Sequence, residues 1–115
     1  MAVRIAIACL AAMTLGSCAA ATRPAAPVAT PSGVRFTLAL NGAHSVAVAG
    51  SFNGWSAASH PLVRDARGVW TSVVRLPPGE HVFMYVVDGQ WTSPPMAEDY
   101  ADDGFGAHNG IVVVR

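Results

Sequence analysis

Apolar and polar positions alternate in short runs from Val34 to the end of the sequence, and each run ends at residues typical of turns. Three of these turns are marked by Asn41-Gly42, Pro77-Pro78-Gly79 and Asp88-Gly89. The last pair is a strong signal for a two-residue hairpin. No part of this region shows a helical period. About seven short strands in one small domain predict an all-β, immunoglobulin-like sandwich over residues 34–115.

The phase of the strand sequence GVWTSVVRL indicates which of its side chains face the core. Side chains alternate between the two faces of a strand, so Trp70, Val74 and Leu76 share one face and Arg75 lies on the other. We therefore expect Trp70 to lie in the core.

The strand sequence EHVFMYVV separates into a bulky face and a second face in the same way. The predicted core set is Phe83, Tyr85 and Val87, and the opposite set is Val82, Met84 and Val86. His81 is in phase with the core set. A histidine in that position is more often a structural residue than a ligand, and we expect a structural role here.

The other two tryptophans lie outside these stripes. Trp55 follows Asn53-Gly54 at a turn, and Trp91 follows the Asp88-Gly89 hairpin. Two interpretations fit the local sequence. A loop tryptophan can close the open end of a sandwich, or two flat indoles on rigid turns can form a platform for a ligand with a flat apolar face.

The N-terminal region has the features of a secretory signal. One charged residue, Arg4, precedes the apolar run from Ile5 to Leu15, which is shorter than the roughly 20 residues that a membrane span needs. The run ends in the sequence Leu15-Gly16-Ser17-Cys18, which resembles the lipobox of bacterial lipoproteins. This resemblance implies that residues 1–17 are a signal peptide and that Cys18 is acylated and anchors the protein in the cell envelope.

The residue after Cys18 indicates in which membrane the lipoprotein would be anchored. It is Ala19 rather than aspartate, which by the lipoprotein resemblance favours the outer membrane, with the domain facing the periplasm. The alternative is ordinary secretion, with cleavage near Ala21 and a soluble secreted or periplasmic product. The lipobox interpretation is favoured because ordinary signal sequences rarely place leucine and cysteine in this register.

Residues 18–33 are predicted to form a flexible tether after the acylated cysteine. They are rich in alanine, proline and threonine and have no period that would bury a face. In an extended conformation, at roughly 3.1 Å per residue, the segment would reach about 45 Å from the membrane. Cys9 is lost with the signal peptide, so no disulfide is expected in the domain.

The charge and the side-chain chemistry exclude several classes of function. Seven arginines balance seven acidic residues, lysine is absent and no basic cluster occurs, so nucleic acid is not an expected partner. The acidic residues in MAEDYADDGFG match no calcium loop, and the four histidines lack zinc-ligand spacing. A glycosidase needs two carboxylates across a cleft, and one acidic loop does not supply them. We predict no metal, no cofactor and no catalytic residues.

A specific resemblance arises from several short motifs taken together. G-S-F-N-x-W begins at Gly50, and P-L, L-P-x-G-E-H and V-D-G-x-W follow in order. This combination resembles the glycogen-binding domain of the AMP-activated protein kinase β subunit. That domain is a family 48 carbohydrate-binding module related to the isoamylase early-set domains. The resemblance covers nearly all of the sequence after the tether and implies an early-set β-sandwich that binds α-1,4-glucan.

The resemblance also implies the sugar-contacting positions. The two motif tryptophans are Trp55 and Trp91, the asparagine near the last strand is Asn109, and the apolar residue that presses against the glucan is Phe105. One position departs from the family, because Met84 replaces a lysine in the strand before the hairpin. A charge-assisted hydrogen bond to sugar hydroxyls is therefore lost at that position.

Two functions of different classes follow. The first is a membrane-anchored, non-catalytic module that recognises glycogen, starch or maltodextrin by tryptophan stacking. Its weak binding would be strengthened by many copies on one surface. The second is an early-set sandwich that acts as a structural or protein-interaction module in the cell envelope, with Trp55 and Trp91 as an apolar hot spot. The retained tryptophans and Asn109 favour the first function, and Met84 and a periplasmic location favour the second.

Overall fold

The computed structural model describes residues 25–115. The predicted signal peptide and the lipidation site at Cys18 lie outside these residues. The described residues contain no helix, and therefore none long and apolar enough to cross a membrane.

The described part of the chain forms nine β-strands joined by short turns. They are β1 (Val28–Thr30), β2 (Gly33–Ala39), β3 (Val46–Gly50), β4 (Val63–Arg64), β5 (Val69–Val74), β6 (Gly79–Val87), β7 (Gln90–Thr92), β8 (Asp99–Asp102) and β9 (His108–Val114). The sequence predicted about seven strands, and the larger number arises because four of the nine have only two to four residues.

The strands form two antiparallel sheets. The first sheet has the order β1-β2-β5-β4, and the second has the order β3-β6-β9-β8. β7 pairs with the last three residues of β6, beyond the segment of β6 that pairs with β9. The two sheets form an all-β sandwich of the immunoglobulin-like kind, so the predicted fold class is confirmed.

The start of the sandwich differs from the expected tether. Val28–Thr30, which the sequence analysis placed in the tether, pairs with β2 as β1. Gly33, the first residue of β2, has φ of 142°, and a Cβ there would lie 2.7 Å from the Val74 carbonyl oxygen. A strand of three residues between prolines has too few positions to show alternation, so its sequence resembles a linker.

The core between the sheets contains the residues that strand phase predicted. Phe83 and Tyr85 are fully buried, and Trp70 is 7% exposed within the same apolar cluster. His81 is also buried, with its Nε2 atom 2.7 Å from the Pro77 carbonyl oxygen. The predicted core position of Trp70 and the structural role of His81 are confirmed.

A second apolar cluster lies on the other face of the second sheet. Ala47, Ala49 and Val86 are buried there and form a group separate from the main core. Apolar burial on both faces is unusual for an outer sheet of a small sandwich, because one face of an antiparallel sheet commonly faces water. The outer face of the second sheet is therefore a candidate binding surface.

Candidate functional site

The outer face of the second sheet is built from aligned positions of β3, β6 and β7. Residues directly opposite each other in an antiparallel pair place their side chains on the same face. Trp91 in β7 lies opposite Val86 in β6, and Val86 lies opposite Ala47 in β3. In the parallel row below, Met84 lies opposite Ala49. The result is an apolar floor with one indole at its edge.

Asn109 belongs to the same face. Its neighbour Gly110 pairs with Phe83, whose ring lies in the main core, so alternation turns Asn109 outward. Asn109 is half-buried and lies opposite Ala101 in β8. The strand register therefore places the amide of Asn109 on the same face as the apolar floor that contains Met84.

Trp55 lies on the turn that follows β3, at a strained backbone position. Its φ is 60°, which is in the left-handed region that a bulky residue rarely adopts. Its N–H group donates to the Gly50 carbonyl oxygen at 2.9 Å, and its side chain is 38% exposed. Strain of this kind persists only where surrounding contacts impose it, and it is concentrated at functional sites.

Asn53 supplies the contacts that impose this turn. Its Oδ1 atom accepts hydrogen bonds from the N–H groups of Gly50 (3.0 Å) and Ser56 (3.2 Å), which flank Trp55. Its Nδ2 atom donates to the Val48 carbonyl oxygen at 3.1 Å. One side chain therefore ties both sides of the turn to β3.

The hairpin that carries Trp91 is braced by its own first residue. Asp88 and Gly89 have φ of 49° and 81°, as the two-residue turn between β6 and β7 requires. Asp88 Oδ1 accepts the N–H groups of Ser45 (2.8 Å) and His44 (2.7 Å), and these bonds hold the pKa of Asp88 below its usual range. A lowered pKa means that the brace is complete above the usual range and is lost only as the pH falls through the lowered value.

The sequence of the described domain matches a known protein family. Residues 34–115 match the family described as the glycogen recognition site of AMP-activated protein kinase. The chain belongs to this family. The match covers every strand except β1 and the first residue of β2, and it includes both exposed tryptophans.

Individual relatives support the assignment. The chain is 37% identical over 87 residues to 5'-AMP-activated protein kinase subunit beta-1 of Sus scrofa, covering 76% of this chain and 66% of that protein. The identity to the Homo sapiens beta-1 subunit is also 37%, with 76% and 30% covered. The Mus musculus beta-2 subunit is 32% identical with the same coverage. The chain thus spans between about a third and two thirds of the length of these relatives.

Two further residues that the sequence predicted as sugar-contacting positions have distinct settings in the structure. Met84 is 6% exposed and lies within the floor. Phe105 is 93% exposed on the loop between β8 and β9. Asp103 Oδ1 accepts the N–H groups of Phe105 (2.7 Å) and Ala107 (3.1 Å), so the loop is held in shape. Register thus brings together Trp91, Met84 and Asn109, whereas Trp55 and Phe105 project from separate turns.

The site's chemistry is neutral. Its aligned side chains are indole, thioether, aliphatic groups and one amide, with no ionisable group among them. Within residues 25–115, no three histidine, cysteine or acidic side chains stand together as a metal site would require. Such a face can offer stacking and uncharged hydrogen bonds to a neutral ligand.

The residues that sequence reasoning missed are those that hold the turns. The sequence places Asn53 and Asp88 at turns and Asp103 in an acidic loop, and in the structure each accepts hydrogen bonds from two backbone N–H groups near an aromatic residue. The sequence does carry one indication of this role, because asparagine and aspartate side chains in turns tend to accept hydrogen bonds from nearby backbone N–H groups.

Proposed function

We propose that the chain is a non-catalytic carbohydrate-binding module that recognises α-1,4-glucan through Trp55 and Trp91. The observation that carries the proposal is the pair of exposed indoles on braced turns, one of them beside an apolar floor. Family membership supports a glucan as the ligand class, because the family is described as a glycogen recognition site.

The chemistry of the ligand fits these side chains. A pyranose ring presents C–H bonds on one face, which pack on an indole by dispersion and by attraction to its negative π face. The hydroxyl groups stay hydrated or bond to the amide of Asn109, which both donates and accepts. An α-1,4-linked chain curves, so consecutive sugars can reach aromatic groups on different turns. Phe105 would add a third apolar contact from its loop.

A calorimetric titration tests this function. Maltohexaose should bind the full chain saturably, and cellohexaose, which has the same length but β-1,4 linkages, should not. The affinity should change little between about 0.05 and 0.5 M salt, because the proposed contacts carry no charge. Absence of maltohexaose binding, or equal binding of both oligosaccharides, would contradict the proposal.

A second candidate function is recognition of an envelope protein by the same aromatic side chains. The exposure of Phe105 favours it, because an apolar ring that is 93% exposed is a common anchor in protein interfaces. So does Met84, which removes the cation expected at that position. This function predicts that neither oligosaccharide binds, so the same titration separates the two.

We also propose that Cys18 anchors the module in the cell envelope, with the outer membrane as the expected site. Support comes from the sequence Leu15-Gly16-Ser17-Cys18 alone. Attachment of many copies to one surface would strengthen binding to a polymer that offers repeated sites.

Replacement of Cys18 tests the anchor. Cys18→Ala should move the protein from the membrane fraction to the soluble fraction and abolish labelling by a fatty-acid analogue. Cys9→Ala is the matched control, since Cys9 lies within the apolar run and should not affect labelling. A wild-type protein that takes up no label and fractionates as soluble would show that ordinary secretion is correct.

A further inference from the structure

The amide of Asn53 has a single possible orientation in its hydrogen-bond network. The N–H groups of Gly50 and Ser56 require an acceptor, and the Val48 carbonyl oxygen requires a donor. The oxygen of the amide must therefore face the two N–H groups and the nitrogen must face Val48. The same nitrogen lies 2.9 Å from Nδ1 of His60.

This orientation determines which ring nitrogen of His60 carries the proton. Asn53 Nδ2 has only hydrogens to offer, so His60 Nδ1 must accept and must be unprotonated. Protonation of the imidazole would place an N–H group against the NH₂ group of Asn53. Two donors at 2.9 Å cannot bond, so the contact would break.

Among the described residues, His60 faces no carboxylate across the groove that it lines. Its ring packs edge-on against Phe52, with centroids 5.8 Å apart. The groove that it lines also contains Arg75 and His81, and no acidic residue lines this groove within the described chain. Neither Arg75 nor His81 supplies a carboxylate that could pair with a charged imidazole. A protonated His60 would therefore leave Asn53 and turn toward water.

We propose that His60 is a positioning residue for Trp55, acting through Asn53, and that its protonation loosens the turn and weakens ligand binding. Histidine is the side chain that changes charge between about pH 8 and pH 5. Acidification over that range should displace the strained backbone at Trp55. Asn53 holds Gly50, whose carbonyl accepts the Trp55 N–H group, and Ser56, which follows Trp55. The effect on the turn stands alone, and the effect on glucan affinity rests on the proposed function.

The turn can be observed without any ligand. We would label the full chain with 5-fluorotryptophan and record ¹⁹F spectra between about pH 8 and pH 5. Trp55→Phe and Trp91→Phe assign the resonances of the three tryptophans. The Trp55 resonance should shift on acidification, and that of the buried Trp70 should not. A Trp55 resonance that does not move in the wild type would overturn the proposal.

Two variants assign the shift to His60 rather than to another histidine of the chain. His60→Asn places an amide oxygen near the position of Nδ1, where it accepts from Asn53 but does not titrate. It should keep the neutral-pH position of the Trp55 resonance at all pH values. His60→Ala should show the acid-like position throughout. If His60→Asn shows the same pH profile as the wild type, the shift arises elsewhere and the proposal fails. His60→Gln serves the same purpose should His60→Asn fold poorly.

Titration with maltohexaose then links the turn to recognition. Wild-type affinity should fall by roughly three- to tenfold between about pH 8 and pH 5, the range expected for one hydrogen bond, and His60→Asn should abolish the fall. A Trp55 shift without any maltohexaose binding would contradict the proposed glucan function and leave the positioning role supported. Binding of maltohexaose with a pH dependence that persists in His60→Asn would support the glucan function and contradict the positioning role of His60.

Discussion

Replacing Trp70 with alanine should remove a large part of the free energy of unfolding of the chain. The indole is 7% exposed and belongs to the main core cluster. Its strand, β5, lies between β2 and β4 in the first sheet. Emptying a site of this size costs about 3–5 kcal/mol. A domain of this length has only about 5–15 kcal/mol of stability in total. Urea unfolding followed by circular dichroism measures the loss.

The matched variant is Trp70→Phe, which separates packing from polarity. The Nε1 atom of Trp70 is buried and has no hydrogen-bond partner among the described residues. Phenylalanine keeps most of the aromatic volume and removes this unsatisfied donor, so the loss should stay within about 1.5 kcal/mol. If Trp70→Ala instead unfolds at the same urea concentration as the wild type, the core position of Trp70 is wrong.

The features that could be predicted from the sequence are those with a local physical cause. Alternation along β5 and β6 placed Trp70 and Phe83 in the core because the side-chain period of a strand is two. The Asp88-Gly89 hairpin was predictable because both residues need a positive φ. The outward direction of Met84 follows from the same alternation.

The features that could not be predicted depend on long-range contacts. Asp88 braces Ser45 across 43 residues of sequence, and no period or spacing encodes such a bond. The pairing of Asn53 with His60 is a contact between two side chains that each have an ordinary role as polar loop residues. Motif resemblance predicts which residues contact the ligand, but the residues that hold them in place emerge only from the structure.

Replacing Trp55 with glycine should greatly weaken maltohexaose binding while leaving the chain at least as stable as the wild type. A non-glycine residue in the left-handed region costs about 1–2 kcal/mol, and Trp55 has φ of 60°. Glycine adopts that conformation without strain, although it adds some flexibility to the unfolded chain. An exposed ring makes few packing contacts, so its removal should cost little stability.

Binding should change far more than stability. If the indole stacks on a sugar ring, its loss should cost at least about 2 kcal/mol of binding free energy, which is roughly a 30-fold loss of affinity for maltohexaose. Trp91→Ala should have a similar effect on affinity and lower the unfolding free energy by less than about 1 kcal/mol. Val73→Ala is the control, because Val73 is equally exposed but lies on the first sheet, away from both indoles.

The combination of the two measurements decides the role of Trp55. A stable Trp55→Gly variant that no longer binds means that the backbone strain is retained for the ligand rather than for the fold. A variant that loses both properties means that the ring closes the end of the sandwich, as the second interpretation of the sequence held. A stable variant that binds maltohexaose as the wild type does would remove Trp55 from the site and leave Trp91 and Asn109 as its centre.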